Sequence, residues 1–282
     1  MWGRTVSLCH MARRLPLDFF PQICYTVERN TTIRQRRATV MHEMKSFKKR
    51  FVIVSGPVCS GKTTLALNIA HNQGSCYYFD KDDLVPTSNS TFDAVNQLVP
   101  ESVEIPYARD TLEKRDRHSP FFKAFIRNPE YDSTRDILIK GLQFNDFVIV
   151  NAPYTSELKK EAAGDCPAFN EFRRFFDKEE CEFVVVFVHI SKDELKRRLL
   201  NRLAKDPQAA ARDKNVYTDL DAYVAAENVD APDLTKGKNV DRLFVFDADT
   251  DELRDASYVR LMKELGIEKY EPYNRSIEVN RV

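Results

Sequence analysis

The sequence predicts an α/β protein, a parallel sheet flanked by helices. Three observations predict it. Five short apolar runs punctuate the chain, at residues 51–55, 76–79, 147–150, 183–188 and 243–246. Runs that are apolar at nearly every position suit strands covered on both faces, as parallel strands are. Stretches with helical spacing separate these runs, and alternating strand and helix is the pattern of a parallel sheet. Finally, the first run stops at a glycine-bounded loop that opens directly onto a helix-forming stretch.

Phe51-Val52-Ile53-Val54-Ser55 reads as the first strand. The helix after the loop runs over 62–73, with Leu65, Leu67, Ile69 and Ala70 on its apolar face. Cys76-Tyr77-Tyr78-Phe79 is the second strand and leads into Asp80-Lys81-Asp82-Asp83. Residues 86–134 are polar, contain prolines and keep no period, so short helices and an insertion over the site are expected there. A helix over 134–142 precedes the third strand at Phe147-Val148-Ile149-Val150. Phe169, Phe172, Phe175 and Phe176 share one side of a helix over 168–178. The run at 183–188 is the most apolar strand, and a helix over 192–203 follows it. A polar segment to residue 239, read as a lid over 203–239, precedes the last strand and a closing helix over 251–265. The expected organisation is one domain over 47–270, with a tail over 271–282 that carries no interpretable signal.

The first fifty residues stand apart. They hold eleven Lys and Arg against three Asp and Glu, an excess of eight, with no sustained period. Three readings fit residues 1–46: an Arg-rich transit peptide, a basic tail for nucleic acid or membrane, or a start assigned too far upstream of Met41 or Met44.

Composition excludes several classes. Lys+Arg and Asp+Glu are both 43, so no global field draws the chain to nucleic acid or an anionic membrane. The six cysteines form no C-x-x-C pair and no zinc spacing with histidine, which suits reduced thiols in the cytoplasm. No run approaches the ~18 apolar residues that a membrane-spanning helix needs.

The loop Gly56-Pro57-Val58-Cys59-Ser60-Gly61-Lys62-Thr63-Thr64 fits G-x-x-x-x-G-K-[ST] in full. Glycines let backbone N–H groups turn inward onto phosphates, and the helix starting near Lys62 aims its positive end at the same anion. Lys62 is expected on the β- and γ-phosphates of ATP and Thr63 on Mg²⁺. Cys59 fills a slot for a small residue. The strand before and the helix after are the context that a P-loop NTPase requires. Neither a D-x-x-G switch nor an N-K-x-D guanine signature follows, and the third strand ends in Asn151 rather than an Asp-Glu pair.

Three segments together resemble the small P-loop kinases of the AAA_33-like group, which includes polynucleotide kinase, chloramphenicol phosphotransferase and zeta-toxin-like sugar kinases. They are the loop itself, Phe79-Asp80-Lys81-Asp82-Asp83-Leu84, and Val188-His189-Ile190-Ser191 with the arginine-rich stretch from Glu194 to Arg202 and then Ala211-Arg212-Asp213. The resemblance covers residues 50–265 and implies a phosphotransferase with an acidic acceptor side and an arginine-bearing lid. On it, Asp82 is the expected base for an acceptor hydroxyl, Asp80 orients Mg²⁺-bound water, and Asp83 caps the next helix. Arg198, Arg202 and Arg212 would neutralise the transferring phosphoryl group, the first two sharing a helix face by their spacing of four. Arg197 is left as a solvated charge. Arg109, Arg115, Arg117, Arg127 and Tyr131 are candidates for acceptor contacts, and His118 and His189 are read as structural.

Two departures from the group's pattern narrow the reading. Asn151 stands where many relatives carry an acid, and Val85 stands where a polynucleotide kinase would carry an arginine. The expected function is therefore transfer of the γ-phosphate of ATP to a hydroxyl of a small molecule. An ATP-binding regulatory or ATPase module and a nucleic-acid end kinase remain as the alternatives, the last opposed by Val85 and the balanced charge.

Overall fold

A computed structural model describes residues 49–98, 120–206 and 214–277. Five strands, Arg50–Ser55 (β1), Tyr77–Asp80 (β2), Phe147–Asn151 (β3), Glu182–His189 (β4) and Arg242–Asp247 (β5), form one parallel sheet. Its order is β2-β3-β1-β4-β5. β1 is central, and its register sets Val54 beside Asn151 on one side and Val186 on the other. β2 continues the row with Asp80 beside Asn151. Because every strand is parallel, Ser55, Asp80, Asn151, His189 and Asp247 all end on one edge. The chain departs from β1 toward both flanks, and the crevice at such a reversal is where open α/β sheets bind ligands.

Side chains alternate across the sheet. Val52, Val54, Val184 and Val186 pack with Leu65, Ile69, Leu195 and Leu261 on one face. Phe51, Ile53, Val148 and Val150 pack with Phe169, Phe172, Phe176 and Phe183 on the other. Phe51 lies 4.9 Å from Phe176 and 5.3 Å from Phe183, within the separations that aromatic pairs favour.

Helices cover both faces: Lys62–Gln73 (α1), Val85–Leu98 (α2), Asn128–Phe144 (α3), Thr155–Ala162 (α4), Pro167–Lys178 (α5), Lys192–Lys205 (α6), Lys214–Thr218 (α7), Leu220–Ala226 (α8) and Asp251–Glu264 (α9). α6 starts at Ser191, whose hydroxyl accepts the Glu194 N–H at 3.2 Å. α9 starts at Thr250, which accepts from Leu253 at 3.2 Å. Asp249, two residues before α9, accepts the Ser191 N–H at 2.7 Å, and hydrogen bonding with the Ser191 side chain, helped by this N–H, holds its carboxyl below the usual range.

The structure differs from the expected elements in three places. The helix expected from Thr134 begins earlier, as a turn at Pro120–Phe122 and a π-helical turn at Lys123–Arg127 that runs into α3. Pro129 falls in the first turn of α3, and the wider π turn before it accommodates a residue that cannot donate to the preceding ladder. α4 has no counterpart in the apolar pattern. Residues 270–274, spanning the expected boundary at 270, form a strap across α1. Asn68 accepts from the Asn274 N–H and donates to its carbonyl, both at 2.8 Å, while Tyr270 and Tyr273 pack on Tyr258. Among the described residues no helix is long and apolar enough to cross a membrane.

α4 also anchors the segment before β5. Glu161 is fully buried, and its Oε1 accepts the N–H groups of Lys238 and Asn239 at 2.7 Å while Oε2 accepts Asn239 Nδ2 at 2.8 Å. Replacing Glu161 by alanine takes the acceptor from three donors, of which the Asn239 N–H is buried. At ~1–3 kcal/mol per orphaned group, a loss of about 3 kcal/mol is expected in urea unfolding, while Glu161→Gln recovers part of it.

Candidate active site

The phosphate loop leaves β1 at Ser55, whose hydroxyl donates to the Pro153 carbonyl. Gly56 has φ 142°, and a Cβ placed there would lie 2.6 Å from the Val188 carbonyl oxygen of β4. The loop thus closes against the neighbouring strand only because residue 56 has no side chain. Gly61 ends the loop with φ 98°, and no side chain caps the start of α1. The helix's first N–H groups, with its positive end, face the loop's hollow. Lys62 Nζ lies 2.6 Å from the Pro57 carbonyl. Burial lowers its pKa to about 8, against the pull of Cys59, Asp82, Glu227 and Asp80, which favour the charged form.

One side of the hollow is acidic. Asp80 ends β2, buried, and accepts the Asp82 N–H at 2.9 Å through Oδ1, so Asp80 rather than Asp83 caps the short turn Lys81–Leu84. Its Oδ2 accepts from Asn151 Nδ2 at 2.8 Å and from the Tyr78 hydroxyl at 3.2 Å. The same Asn151 Nδ2 lies 2.8 Å from Thr63 Oγ1. Asn151 Oδ1 is buried with no hydrogen-bond partner. Asp82 is exposed toward the opening.

The opposite side is α6. Arg198 Nε donates to Glu194 at 2.6 Å, Nη1 to the Ser60 carbonyl at 2.7 Å and Nη2 to the Ala248 carbonyl at 2.5 Å. It braces the loop against α6 and the turn after β5. Arg202 Nη1 lies 3.5 Å from Cys59 Sγ. Arg197 turns outward onto Glu194, as its place in the sequence suggests.

These walls enclose a cleft of about 530 Å³, lined by the loop from Val58 to Thr64, by Asp80, Asp82 and Asn151, and by Arg198, Asn201, Arg202 and Lys205. Lys62, Thr63, Asp80, Asp82, Arg198 and Arg202 therefore come together. Arg212, Arg109, Arg115, Arg117 and His118 lie outside the described residues. Arg127 and Tyr131 are described but stand apart from this cleft: Arg127 binds Glu157 at 3.0 Å and lies 4.3 Å from the centre of the Tyr131 ring. His189, at the end of β4, donates its Nδ1–H to the Val229 carbonyl at 2.9 Å. Asn201 and Lys205 escaped the sequence reading, although they continue the stripe of Arg198 and Arg202 at spacings of three and four.

Oxygen donors from Thr63, Asp80 and Asn151 are the hard ligands that magnesium takes. Asn151 Oδ1, on the side chain that joins Thr63 to Asp80, is a buried acceptor without a partner. Among the described residues no group of three or more His, Cys, Asp and Glu could hold a metal unaided. A cation here would therefore complete its shell with phosphate oxygens and water, as magnesium does in nucleotide sites.

The model of the family AAA_33, an AAA domain, matches residues 51–226. No curated protein matches the sequence. Among solved structures, the shikimate kinase of Bacteroides thetaiotaomicron is similar at 17% identity, over 77% of this chain and 98% of that one, with a TM-score of 0.38. A fungal RNA kinase is similar at 11% identity, over 80% and 91%, with a TM-score of 0.41. The dephospho-CoA kinase of Campylobacter jejuni is similar at 13% identity, over 78% and 98%, with a TM-score of 0.35. Scores this low carry nothing about an acceptor.

Proposed function

We propose that this chain, which belongs to the AAA_33 family, is an ATP-dependent phosphotransferase that phosphorylates a hydroxyl of a small molecule. The observation that carries this reading is the juxtaposition of Lys62 and the loop with the exposed Asp82 across one cleft. A carboxylate held at that opening can orient an incoming hydroxyl and take its proton. Phosphoryl transfer needs positioning and charge neutralisation more than covalent help. The loop N–H groups and Lys62 would hold the β- and γ-phosphates. Asp82 would orient the acceptor hydroxyl and take its proton as the oxygen bonds to the γ-phosphorus and ADP leaves with the broken bridge electrons. Magnesium, when bound, would neutralise phosphate charge beside Thr63.

The arginines divide the remaining work. Arg202 stands at the open wall, where phosphate charge would develop. Arg198 fixes the loop's shape from behind, so its removal would misplace the loop as well as remove a charge. Cys59, Cys76, Cys166 and Cys181 are all free thiols, in keeping with a reducing cytoplasm.

The test is incubation with γ-labelled ATP and separate pools of nucleosides, sugars and aminoglycoside-type alcohols, followed by mass identification of any phosphorylated product. A labelled product in one pool is expected. ADP release that is equal with and without every pool would instead favour the ATPase reading. Steeply salt-dependent oligonucleotide binding would favour the nucleic-acid reading.

A further inference from the structure

We infer that Asn151 and Asp80 act as one split unit toward the cation. The carboxylate that orients the cation's water sits on β2, and Asn151 on β3 is the positioning residue that locks it to Thr63. This inference rests on the nucleotide-binding part of the proposed function.

Three observations carry it. The register sets Asp80 and Asn151 side by side at the ends of adjacent strands. One amide nitrogen, Asn151 Nδ2, spends both of its hydrogens, on Thr63 Oγ1 at 2.8 Å and on Asp80 Oδ2 at 2.8 Å. The remaining polar atom of that side chain, Oδ1, is buried and has no hydrogen-bond partner.

Donor chemistry explains why position 151 is an amide. A carboxylate there has no hydrogen to give. It would face the Asp80 carboxylate as a like charge at hydrogen-bonding distance, and two such groups cannot both ionise without cost. The amide instead fills one lone pair of Thr63 Oγ1, leaving the other for the cation, and so fixes the rotamer of that hydroxyl. Asp80 keeps the single negative charge. Its Oδ1 also holds the Asp82 N–H at 2.9 Å. The group that orients the cation's water thereby sets the position of the proposed acceptor base.

The arrangement is testable by exchange. Binding of ADP and of the β,γ-imido analogue of ATP would be measured by calorimetry, with MgCl₂ and with EDTA. Asp80→Asn and Asn151→Asp are each expected to cut the gain in affinity that magnesium confers by about tenfold or more, the scale of outer-shell substitutions. The double exchange, Asp80→Asn with Asn151→Asp, restores one acid and one amide in reversed order and is expected to recover most of that gain. In EDTA, Asn151→Asp should melt below the wild type and the double exchange above Asn151→Asp.

A double exchange no better than its worse single variant would overturn the inference. So would Asp80→Asn with an undiminished magnesium gain, and that isosteric change remains informative should Asn151→Asp fail to fold. A wild-type protein that binds magnesium–nucleotide but transfers no phosphate would sink the proposed function and leave this inference standing. A wild type whose nucleotide affinity ignores magnesium would overturn the inference whatever the function.

Discussion

Lys62→Met is expected to cut the proposed phosphotransfer by about 10²-fold or more and, without nucleotide, to make the protein more stable. The two effects come from the same burial. Lys62 is tucked under the loop with its ammonium on the Pro57 carbonyl, and loss of solvation lowers its pKa to about 8. A lysine whose folded pKa lies below its unfolded value binds fewer protons in the folded state between those two values. Stability therefore rises with pH through that window, and below about pH 8 the protein carries the full cost of a desolvated charge. The side chain is only partly covered, so the cost is on the order of 1 kcal/mol, and methionine relieves it with a rise of about 2–4 °C in Tm at pH 7.

Nucleotide binding has the opposite pH sense. The phosphates require the ammonium, so affinity for ATP in the wild type falls as pH climbs above about 8, and binding there takes up a proton. Lys62→Met loses this limb together with the attraction. Phosphotransfer should drop by about 10²–10³-fold or more, the scale of removing one charge-stabilising donor. Calorimetry in two buffers of different ionisation heat reads the proton uptake directly. A wild-type affinity that is flat from pH 7 to 9.5, or a methionine variant that melts lower, would show that Lys62 is not held in this environment.

The parts of the molecule that the sequence displays are those whose cause is local. The strands at 51–54 and 183–188 are apolar at every position because helices cover both faces, and a six-residue window suffices to see that. The loop needs only nine consecutive residues. α4 was invisible for the opposite reason. Its sequence, Thr155–Ala162, buries Leu158 together with the carboxylates Glu157 and Glu161, and no apolar period betrays a helix whose inner face is acidic. The site divides along the same line. Asp80 and Asp82 are legible beside the end of a strand, and Arg198 and Arg202 by their helical spacing. What each of them touches is set over long separations. Arg198 meets Ser60 across 138 positions, Asn151 meets Thr63 across 88, and Asn274 meets Asn68 across 206. Asn151 was visible as an amide at the end of the third strand, but its meaning needed the neighbouring strand.

Asp82→Asn separates chemistry from binding. The Asp82 side chain stands exposed at the cleft while its backbone N–H, not its carboxylate, makes the bond to Asp80. An asparagine leaves that cap, the turn Lys81–Leu84 and the nucleotide contacts in place. The change removes the group that can take a proton from the acceptor, together with one of several charges that favour the Lys62 ammonium. Turnover is therefore expected to fall by about 10²–10⁴-fold, with the dissociation constants of ADP and the imido analogue within about twofold of wild type. Asp80→Asn should behave differently, since Asp80 is tied to Asn151 and to Asp82 at once: nucleotide binding and turnover weaken together. The contrast between the two neighbours is the decisive measurement. If Asp82→Asn turns over at the wild-type rate once the acceptor is known, the proton leaves by another route and Asp82 only shapes the entrance. If nucleotide affinity collapses with it, the carboxylate belongs to the phosphate side of the cleft, and the acceptor must approach from the wall of Arg202 and Lys205.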